Sequence, residues 1–338
     1  MRIVFRTDSS WSIGAGHLMR CLCLADRLVA RGHEALFLTR PAEGDLIAEI
    51  EARGFSAIRL PGAASEVEDA DRCLALTAGG RVDWVVVDHY DLGAAWEARM
   101  RTGARALLAI DDLGRAHATD LILDQNLANP LHEGYRGFAG RALLGPGYAL
   151  IRPGFGTLRA ASLGRRTGRI GRILVSMGGT DPVDYTPTAL RGLQALDRSD
   201  LMVDVVIGRN TRNRETVEAL CRTLPGATLH VQRADMETLI AAADLAIGAG
   251  GTSVWERCVL GCPALIVSLA PNQVALAQGV ADAGAALDLG WHAEAGGDRI
   301  AETLRRLSPD TVMRMSDRAA DICNGSGADH VTDAMGWS

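Results

Sequence analysis

The sequence predicts an α/β protein made of two doubly wound parallel sheets. Three observations carry that expectation. Short β-branched runs alternate with helical patterns along most of the chain. Two Gly-rich stretches each join the end of a strand run to the start of a helical one. An irregular Pro-, Gly- and Arg-rich segment divides the alternation near its middle. With 338 residues the chain is long for one core and ample for two domains of ordinary size.

In the first half, strands are expected at 2–6, 35–39, 56–60, 84–88, 106–110 and 120–124, and helices near 17–31, 42–53, 66–79 and 93–101. The opening strand, with Ile3, Val4 and Phe5, leads into a polar turn bearing Asp8, Ser9, Ser10 and Ser12. That turn ends at Gly14-Ala15-Gly16, and His17 falls on the first turn of a helix whose apolar positions are Leu18, Leu22, Ala25 and Val29. Such a helix start presents unpaired N–H groups and attracts phosphate, and Gly14 and Gly16 let a ligand approach the backbone. A lone histidine is usually just part of a helix start, but its place behind this loop favours a functional His17. A dinucleotide site is disfavoured, because the sixth position counted from Gly14 is Met19 and the second strand ends at Thr39-Arg40 without a carboxylate. The run Trp84 to Asp88 reads as a strand buried on both faces, with His89-Tyr90-Asp91 at its C-terminal end, where such sheets gather functional groups.

Domain boundaries are expected at 1–155 for the first domain, 156–170 for a linker and 171–338 for the second, with the last helix crossing back to the first. The five arginines between Arg159 and Arg172 read as a solvated linker rather than a phosphate clamp. Further strands are expected at 172–177, 202–207, 227–231, 244–248, 264–269 and 285–289, and helices near 184–196, 213–222, 235–242, 252–260, 272–282 and 297–307. The first of these strands ends in Gly178-Gly179. Later, Gly248-Ala249-Gly250-Gly251 runs into Thr252 and Ser253, natural N-caps, and makes a second phosphate-ready turn. It lacks a Walker lysine, which disfavours ATP-type phosphoryl transfer. Glu256, one turn into that helix, is placed to accept from ribose hydroxyls, although a first-turn Glu also complements the helix dipole. Asn272-Gln273 starts another helix just beyond the strand at 264–269, where Asn272 can serve as a plain N-cap.

The formal charge of -6 and pI near 5.8, with 48% apolar and 22% charged residues, describe a soluble globular chain and argue against general nucleic-acid or anionic-membrane binding. No membrane-length apolar run or signal segment is read, so a cytoplasmic location is expected. Seven scattered cysteines without CxxC spacing read as buried free thiols. No cofactor and no metal site are expected, and the protein is expected to be a monomer.

The run RTDSSWSIGAGHLMRCLCLAD resembles the N-terminus of the UDP-2,4-diacetamido-2,4,6-trideoxy-β-L-altropyranose hydrolases of pseudaminic acid biosynthesis, nucleotide-sugar hydrolases related to GT-B glycosyltransferases. The resemblance extends through VVDHYDL, AIDDL, DLILDQN, GPGYALIRPGF, SMGGTDP and GAGGTSVWE. It implies a GT-B fold, with two Rossmann-like domains facing across a cleft, and a UDP-sugar as the small-molecule partner. It also implies His17 as the base for direct water attack at the anomeric carbon, with C–O cleavage, inversion and no metal. Asp8, Gly14, Gly16, Tyr90, Arg152, Gly178, Gly179, Gly250, Gly251, Thr252, Ser253, Glu256, Asn272 and Gln273 are the substrate-binding candidates. Asp8 is a candidate to orient His17, and Tyr90 to meet acetamido groups or water. A hinge is expected near Arg152 to Gly156. A GT-B glycosyltransferase is the alternative, with an acceptor in place of water, and a non-catalytic nucleotide-sugar binder is a third reading.

Overall fold

The structure is a computed structural model that describes residues 1–127, 130–179, 181–209, 211–233 and 235–336. The chain forms two compact units, Met1–Ile151 with Ser326–Ser338, and Arg152–Gly325.

In the first unit, strands β1 (Arg2–Thr7), β2 (Glu34–Thr39), β3 (Ser56–Arg59), β4 (Val82–Asp88), β5 (Ala104–Ile110), β6 (Leu121–Asp124) and β7 (Arg141–Leu144) form one parallel sheet in the order β3-β2-β1-β4-β5-β6-β7. Helices α1 (Gly16–Ala30), α2 (Ile47–Ala52), α3 (Glu66–Thr77) and α4 (Ala94–Met100) connect the strands. The order reverses between β1 and β4, the point where the C-terminal strand ends of a doubly wound sheet open a crevice. One face of the sheet packs Ile3, Phe5, Leu18, Leu22, Phe37, Trp84 and Val86, and the other packs Val4, Val85, Val87, Trp96 and Leu107. Burial on both sides accounts for the unbroken apolar reading of β4.

The second unit begins with α5 (Pro153–Gly164). Its parallel sheet, in the order β10-β9-β8-β11-β12-β13, comprises β8 (Arg172–Ser176), β9 (Met202–Ile207), β10 (Ala227–Val231), β11 (Leu245–Ala249), β12 (Ala264–Ser268) and β13 (Ala286–Trp291). Helices α6 (Thr186–Gln194), α7 (Arg214–Thr223), α8 (Met236–Ala242), α9 (Ser253–Val259), α10 (Val274–Asp282), α11 (Gly297–Arg306) and α12 (Pro309–Ile322) cover it. Here the order reverses between β8 and β11, so each unit carries its own switch point. The final helix, α13 (Gly327–Met335), belongs to the first unit. Its Val331 and Met335 are fully buried in that core, and Asp329 pairs with Arg27 and Arg31 of α1.

Two expectations need correction. Residues 156–170 are not an irregular linker, because most of them lie in α5. Phe155, Arg159, Ser162 and Arg166 recur at helical spacing, and the stripe they form is mostly polar. Arg159 donates to the carbonyls of Cys323 (2.9 Å), Ala320 (2.7 Å) and Val259, Ser162 to Leu260 (2.7 Å), and Arg166 to Leu260 (2.9 Å) and Ala243. These arginines therefore satisfy carbonyls left open at chain ends and turns, and are not a solvated linker. The helix expected from residue 42 starts at Ile47, because Asp45 turns the chain, accepting from Ala42 N at 3.0 Å and Ile47 N at 3.1 Å. Among the described residues, no helix is long and apolar enough to cross a membrane.

Candidate functional site

At the first unit's switch point, β1 and β4 run parallel with Thr7 opposite Asp88. The Ser10–Gly14 turn, closed by Gly14 N on Ser10 O at 2.8 Å with Gly14 at φ +82°, delivers the chain into α1. Gly14 is needed there because a side chain would strain that backbone. Ala15 precedes the helix and supplies no side-chain cap, which puts His17 on an open first turn.

His17 is buried, and its Nδ1 lies 2.6 Å from Asp88 Oδ1. Arg20, one turn further along α1, grips the same carboxylate, Nε to Oδ2 at 2.5 Å and Nη2 to Oδ1 at 2.6 Å, and its Nη1 reaches Asp112 Oδ2 at 3.4 Å. Burial by itself would raise the Asp88 carboxyl, but the Arg20 guanidinium and then His17 override it and hold the group well below the usual carboxylate range. Asp88 is therefore an acceptor only, and Nδ1 must carry the hydrogen between them. This assignment leaves the lone pair of the neutral ring on Nε2. A buried carboxylate that fixes the tautomer of an imidazole at a strand-end crevice is the arrangement of a general base and its orienter.

The Tyr90 ring meets the imidazole edge-on, with centroids 4.6 Å apart at 87°. Tyr90 is 37% exposed, the least covered member of the group. Asp8 lies elsewhere than expected. It does not orient His17, because its carboxylate is taken by Arg6 Nη1 at 2.6 Å, His89 Nε2 at 3.1 Å, Arg40 N at 2.8 Å and Thr39 Oγ1 at 3.3 Å. Burial pushes the Asp8 carboxyl up, but His89 and Arg6 outweigh it and hold it below the ordinary range. Asp8 is thus a member of a buried ion network that also includes Asp69, and its oxygens are committed within the protein.

In the second unit, the Gly178-Gly179 turn follows β8, with Gly178 at φ +86°. Thr180 of the same motif lies outside the described residues. A side chain on Gly208 would sit 1.8 Å from the Gly179 carbonyl, so the β9 loop lies directly against this turn. Across the switch point, Gly248 lies near the end of β11 in close contact with Arg257. A Cβ there would stand 2.6 Å from Arg257 Nη1 and 2.8 Å from Ser176 O. Arg257 is buried, donates to Ala249 O at 2.9 Å and approaches Ser253 Oγ at 3.4 Å. Among the described residues no carboxylate pairs with it, and burial lowers its pKa.

Gly251 is open to approach, and Thr252 is exposed at the start of α9. Neither Thr252 nor Ser253 caps the helix through its side chain. Glu256 is half-buried. Burial raises its carboxyl, while Arg152 and Arg257 act in the opposite direction. Arg152 opens the second unit, bonded to Glu237 at 3.0 Å and lying over the Phe155 ring at 5.3 Å. Asn272 is exposed on a short 3-10 turn, Pro271–Gln273, ahead of α10. Gln273 accepts from Leu269 N at 3.0 Å and packs on Gly250, where an added Cβ would stand 3.2 Å from the Gln273 Cβ. Gln273 is thereby a brace for the Gly250 loop.

The structure brings together His17 and Tyr90 in the first unit, and in the second it gathers Gly178 and Gly179 on one side of the switch point and Gly250 to Glu256 on the other. Sequence reasoning missed Asp88 and Arg20 as partners of His17, and Arg257 beneath the Gly-rich loop. The signals were an i, i+3 pair on α1 and a carboxylate ending the most strand-like run of the chain.

Comparison with known proteins fits this architecture. Residues 173–324 match the model of the glycosyltransferase family 28 C-terminal domain. The chain is 32% identical over 163 residues to the spore coat polysaccharide biosynthesis protein SpsG of Bacillus subtilis, covering 47% of this chain and 48% of that protein. It is 25% identical over 277 residues to the Methanocaldococcus jannaschii protein MJ1062, covering 79% of this chain and 55% of that one. It is 30% identical over 128 residues to the UDP-2,4-diacetamido-2,4,6-trideoxy-beta-L-altropyranose hydrolase of Campylobacter jejuni, covering 37% of this chain and 42% of that enzyme. The chain thus spans about half the length of the curated relatives it matches. Among solved structures it is similar to Acinetobacter baumannii MurG, with a TM-score of 0.72 at 16% identity over 99% of both chains. It is also similar to the glycotransferase of kitacinnamycin, with a TM-score of 0.70 at 18% identity over 98% of both. The chain has the GT-B fold, and within its second unit residues 173–324 match the glycosyltransferase family 28 C-terminal domain.

Proposed function

We propose that the protein is a nucleotide-sugar-using enzyme that hydrolyses a UDP-sugar at its anomeric carbon, with His17 as the general base. The observation that carries this reading is the His17–Asp88–Arg20 arrangement. A clamped carboxylate holds Nδ1 in the protonated form and leaves Nε2 to take a proton. Water attacks C1, its proton passes to Nε2, and the C1–O bond to the diphosphate breaks, so that UDP leaves with the electron pair and C1 is inverted. UDP is a stable anion and needs no general acid. The Gly-rich turns after β8 and β11 are the groups we assign to the diphosphate, and Glu256 is assigned to the ribose hydroxyls.

For the sugar we propose 2,4-diacetamido-2,4,6-trideoxy-β-L-altrose, on the strength of the N-terminal motif and of the Campylobacter relative. In this reading the enzyme is cytoplasmic and monomeric and needs no metal, and its product feeds pseudaminic acid synthesis. The family 28 match favours a second reading, a glycosyltransferase in which the same base activates an acceptor hydroxyl.

The test is turnover of the UDP-sugar in ¹⁸O-labelled water with EDTA present, following both products by mass. Label in the free sugar supports hydrolysis at C1, whereas label in UDP means attack at phosphorus and overturns it. UDP release that requires an added acceptor establishes the transferase, and tight binding without turnover in any mixture leaves a binder. His17→Asn is expected to lower turnover about a hundredfold or more.

A further inference from the structure

Three arginines are buried among the described residues, and the two in the first unit are neutralised within it. Arg6 pairs with Asp8 and Asp69, and Arg20 with Asp88 and Asp112. Arg257, on α9 of the second unit, is 4% exposed and forms no ion pair with a described residue. It donates from Nη2 to Ala249 O at 2.9 Å and from Nη1 to Ser253 Oγ at 3.4 Å, and its buried Nε has no partner. Burial opposes its charge. The adjacent Glu256 carboxylate favours that charge through space alone, and is itself under the stronger influence of Arg152. A guanidinium keeps its proton at any ordinary pH, so a full positive charge lies inside this unit with no counter-charge in contact, an arrangement that is unfavourable unless an anion is supplied from elsewhere.

The charge sits at the unit's switch point. A Cβ on Gly248 would stand 2.6 Å from Arg257 Nη1 and 2.8 Å from Ser176 O, so the guanidinium lies against β11 where that strand passes the last residue of β8. Gly248 is not in the left-handed region; it is glycine because the guanidinium and the β8 carbonyl take the space of a side chain. With Ala249 O before it and Ser253 Oγ after it, the guanidinium spans the entry and the exit of the Gly250-Gly251-Thr252 turn. That turn is open to a ligand: nothing stands within 4 Å of a Cβ built on Gly251, and Thr252 is exposed.

We infer that Arg257 is the counter-charge of the nucleotide's diphosphate, a positioning residue that holds an anion on the Gly250-Gly251-Thr252 turn by its charge, from within the fold and without touching the ligand. This rests on the assignment of that turn to the diphosphate. The ligand-free protein carries an uncompensated guanidinium, and the bound anion compensates it, so the charge favours binding of phosphate and does not favour the fold.

The experiment compares wild type with Arg257→Met, which keeps the length of the side chain and removes the charge, and with Arg257→Lys, which keeps the charge and loses the fork. Calorimetric titration gives the Kd of UDP and of uridine, and thermal unfolding of the ligand-free proteins gives Tm. In Arg257→Met the Kd of UDP is expected to rise about tenfold to a hundredfold, while that of uridine stays within about threefold. Its ligand-free Tm is expected to equal or exceed that of wild type, because an unpaired buried charge has gone. Arg257→Lys is expected to hold the Kd of UDP within about fivefold of wild type. A guanidinium that only braces the turn would lower the ligand-free Tm in both variants and weaken UDP alike in both. That result, an unchanged Kd of UDP in Arg257→Met, equal weakening of UDP and uridine, or an Arg257→Met protein that does not fold would each overturn the inference. If wild type binds no UDP, the functional proposal fails by itself, and titration with inorganic pyrophosphate decides the inference: binding that Arg257→Met weakens supports it, and binding that is absent or unchanged overturns it.

Discussion

Replacing Asp88 with Asn changes one atom of a fully buried side chain and should cost both turnover and stability. The carboxylate receives Arg20 Nε, Arg20 Nη2, His17 Nδ1 and, at 3.7 Å, Cys21 Sγ. An amide keeps a single acceptor oxygen. Placed at Oδ2 it satisfies Arg20 Nε but turns its NH2 toward Arg20 Nη2 and His17 Nδ1, which moves the imidazole hydrogen to Nε2 and removes the base. Placed at Oδ1 it keeps the tautomer but sets NH2 against Arg20 Nε. Either way a buried guanidinium loses its counter-charge, and its remaining carboxylate partner is Asp112 at 3.4 Å.

Removing one member of a buried ion pair costs about 3–5 kcal/mol, and Asp112 should hold this case near about 3 kcal/mol. Loss of the correct tautomer costs a factor of about 10³ to 10⁴ in kcat, which is about 4–5.5 kcal/mol of barrier. Both are measurable on one preparation, as the rate of UDP release at saturating substrate and as the urea unfolding midpoint. Asp112→Asn is the control. It removes a longer, partly exposed contact and is expected to lower stability by about 1 kcal/mol or less and kcat by less than about fivefold. Turnover of Asp88→Asn within tenfold of wild type, alongside a clearly lowered midpoint, would refute the reasoning. It would mean that Asp88 stabilises the fold without orienting a catalytic base.

The other expectations are simpler. The side chain of His117 is buried, which by itself lowers its pKa, but the Asp111 and Glu97 carboxylates outweigh burial and push it up to about 9 from the ordinary 6.5. Because the folded form holds that proton more tightly, its stabilisation is complete below about pH 6.5 and is lost as pH rises through about 9. Unfolding midpoints at pH 6 and pH 9 should show about 2 kcal/mol of this loss after allowance for screening, and His117→Gln should remove the dependence. Gly208→Ala drives a Cβ to 1.8 Å from the Gly179 carbonyl, so calorimetry should show about 2 kcal/mol or more of destabilisation and titration a weaker affinity for UDP. Glu256→Gln, on the ribose assignment, should raise KM about tenfold while kcat stays within about threefold, as steady-state kinetics would record. All seven cysteines are buried, with burial pushing Cys323 up to about 11, so a thiol reagent should label the native protein slowly and reach seven groups only after unfolding.

Much of the architecture was legible because the information was local. The run Trp84 to Asp88 is buried on both faces and needs no distant partner to read as a strand, and Gly14 ahead of His17 marks a turn that a side chain would strain. The first-unit site was legible only in part, for a physical reason. His17 and Asp88 are 71 residues apart and meet because β1 and β4 are neighbours in register, Thr7 opposite Asp88, a pairing that depends on the strand order of the whole sheet. Asp8 is much closer to His17 in sequence and was the natural choice to orient it, yet Arg6, Arg40 and His89 converge on it from three other positions and take its oxygens.

The same distinction explains α5. A helix that buries apolar side chains announces its period, whereas α5 docks through Arg159 and Ser162 as well as Phe155, and a face of guanidinium-to-carbonyl bonds is invisible to an apolar count. The arginines that read as a solvated charge run are there because Val259, Leu260, Ala320 and Cys323 end structural elements with carbonyls that need donors. Arg115 does the same for His89, Tyr90 and Leu92. In this protein arginine-to-carbonyl contacts fasten both the helix after residue 152 and the turn after β4, and a search for arginines four residues past a strand-end Asp, as in Asp111 and Arg115, is the sequence signal that would have found the second of them.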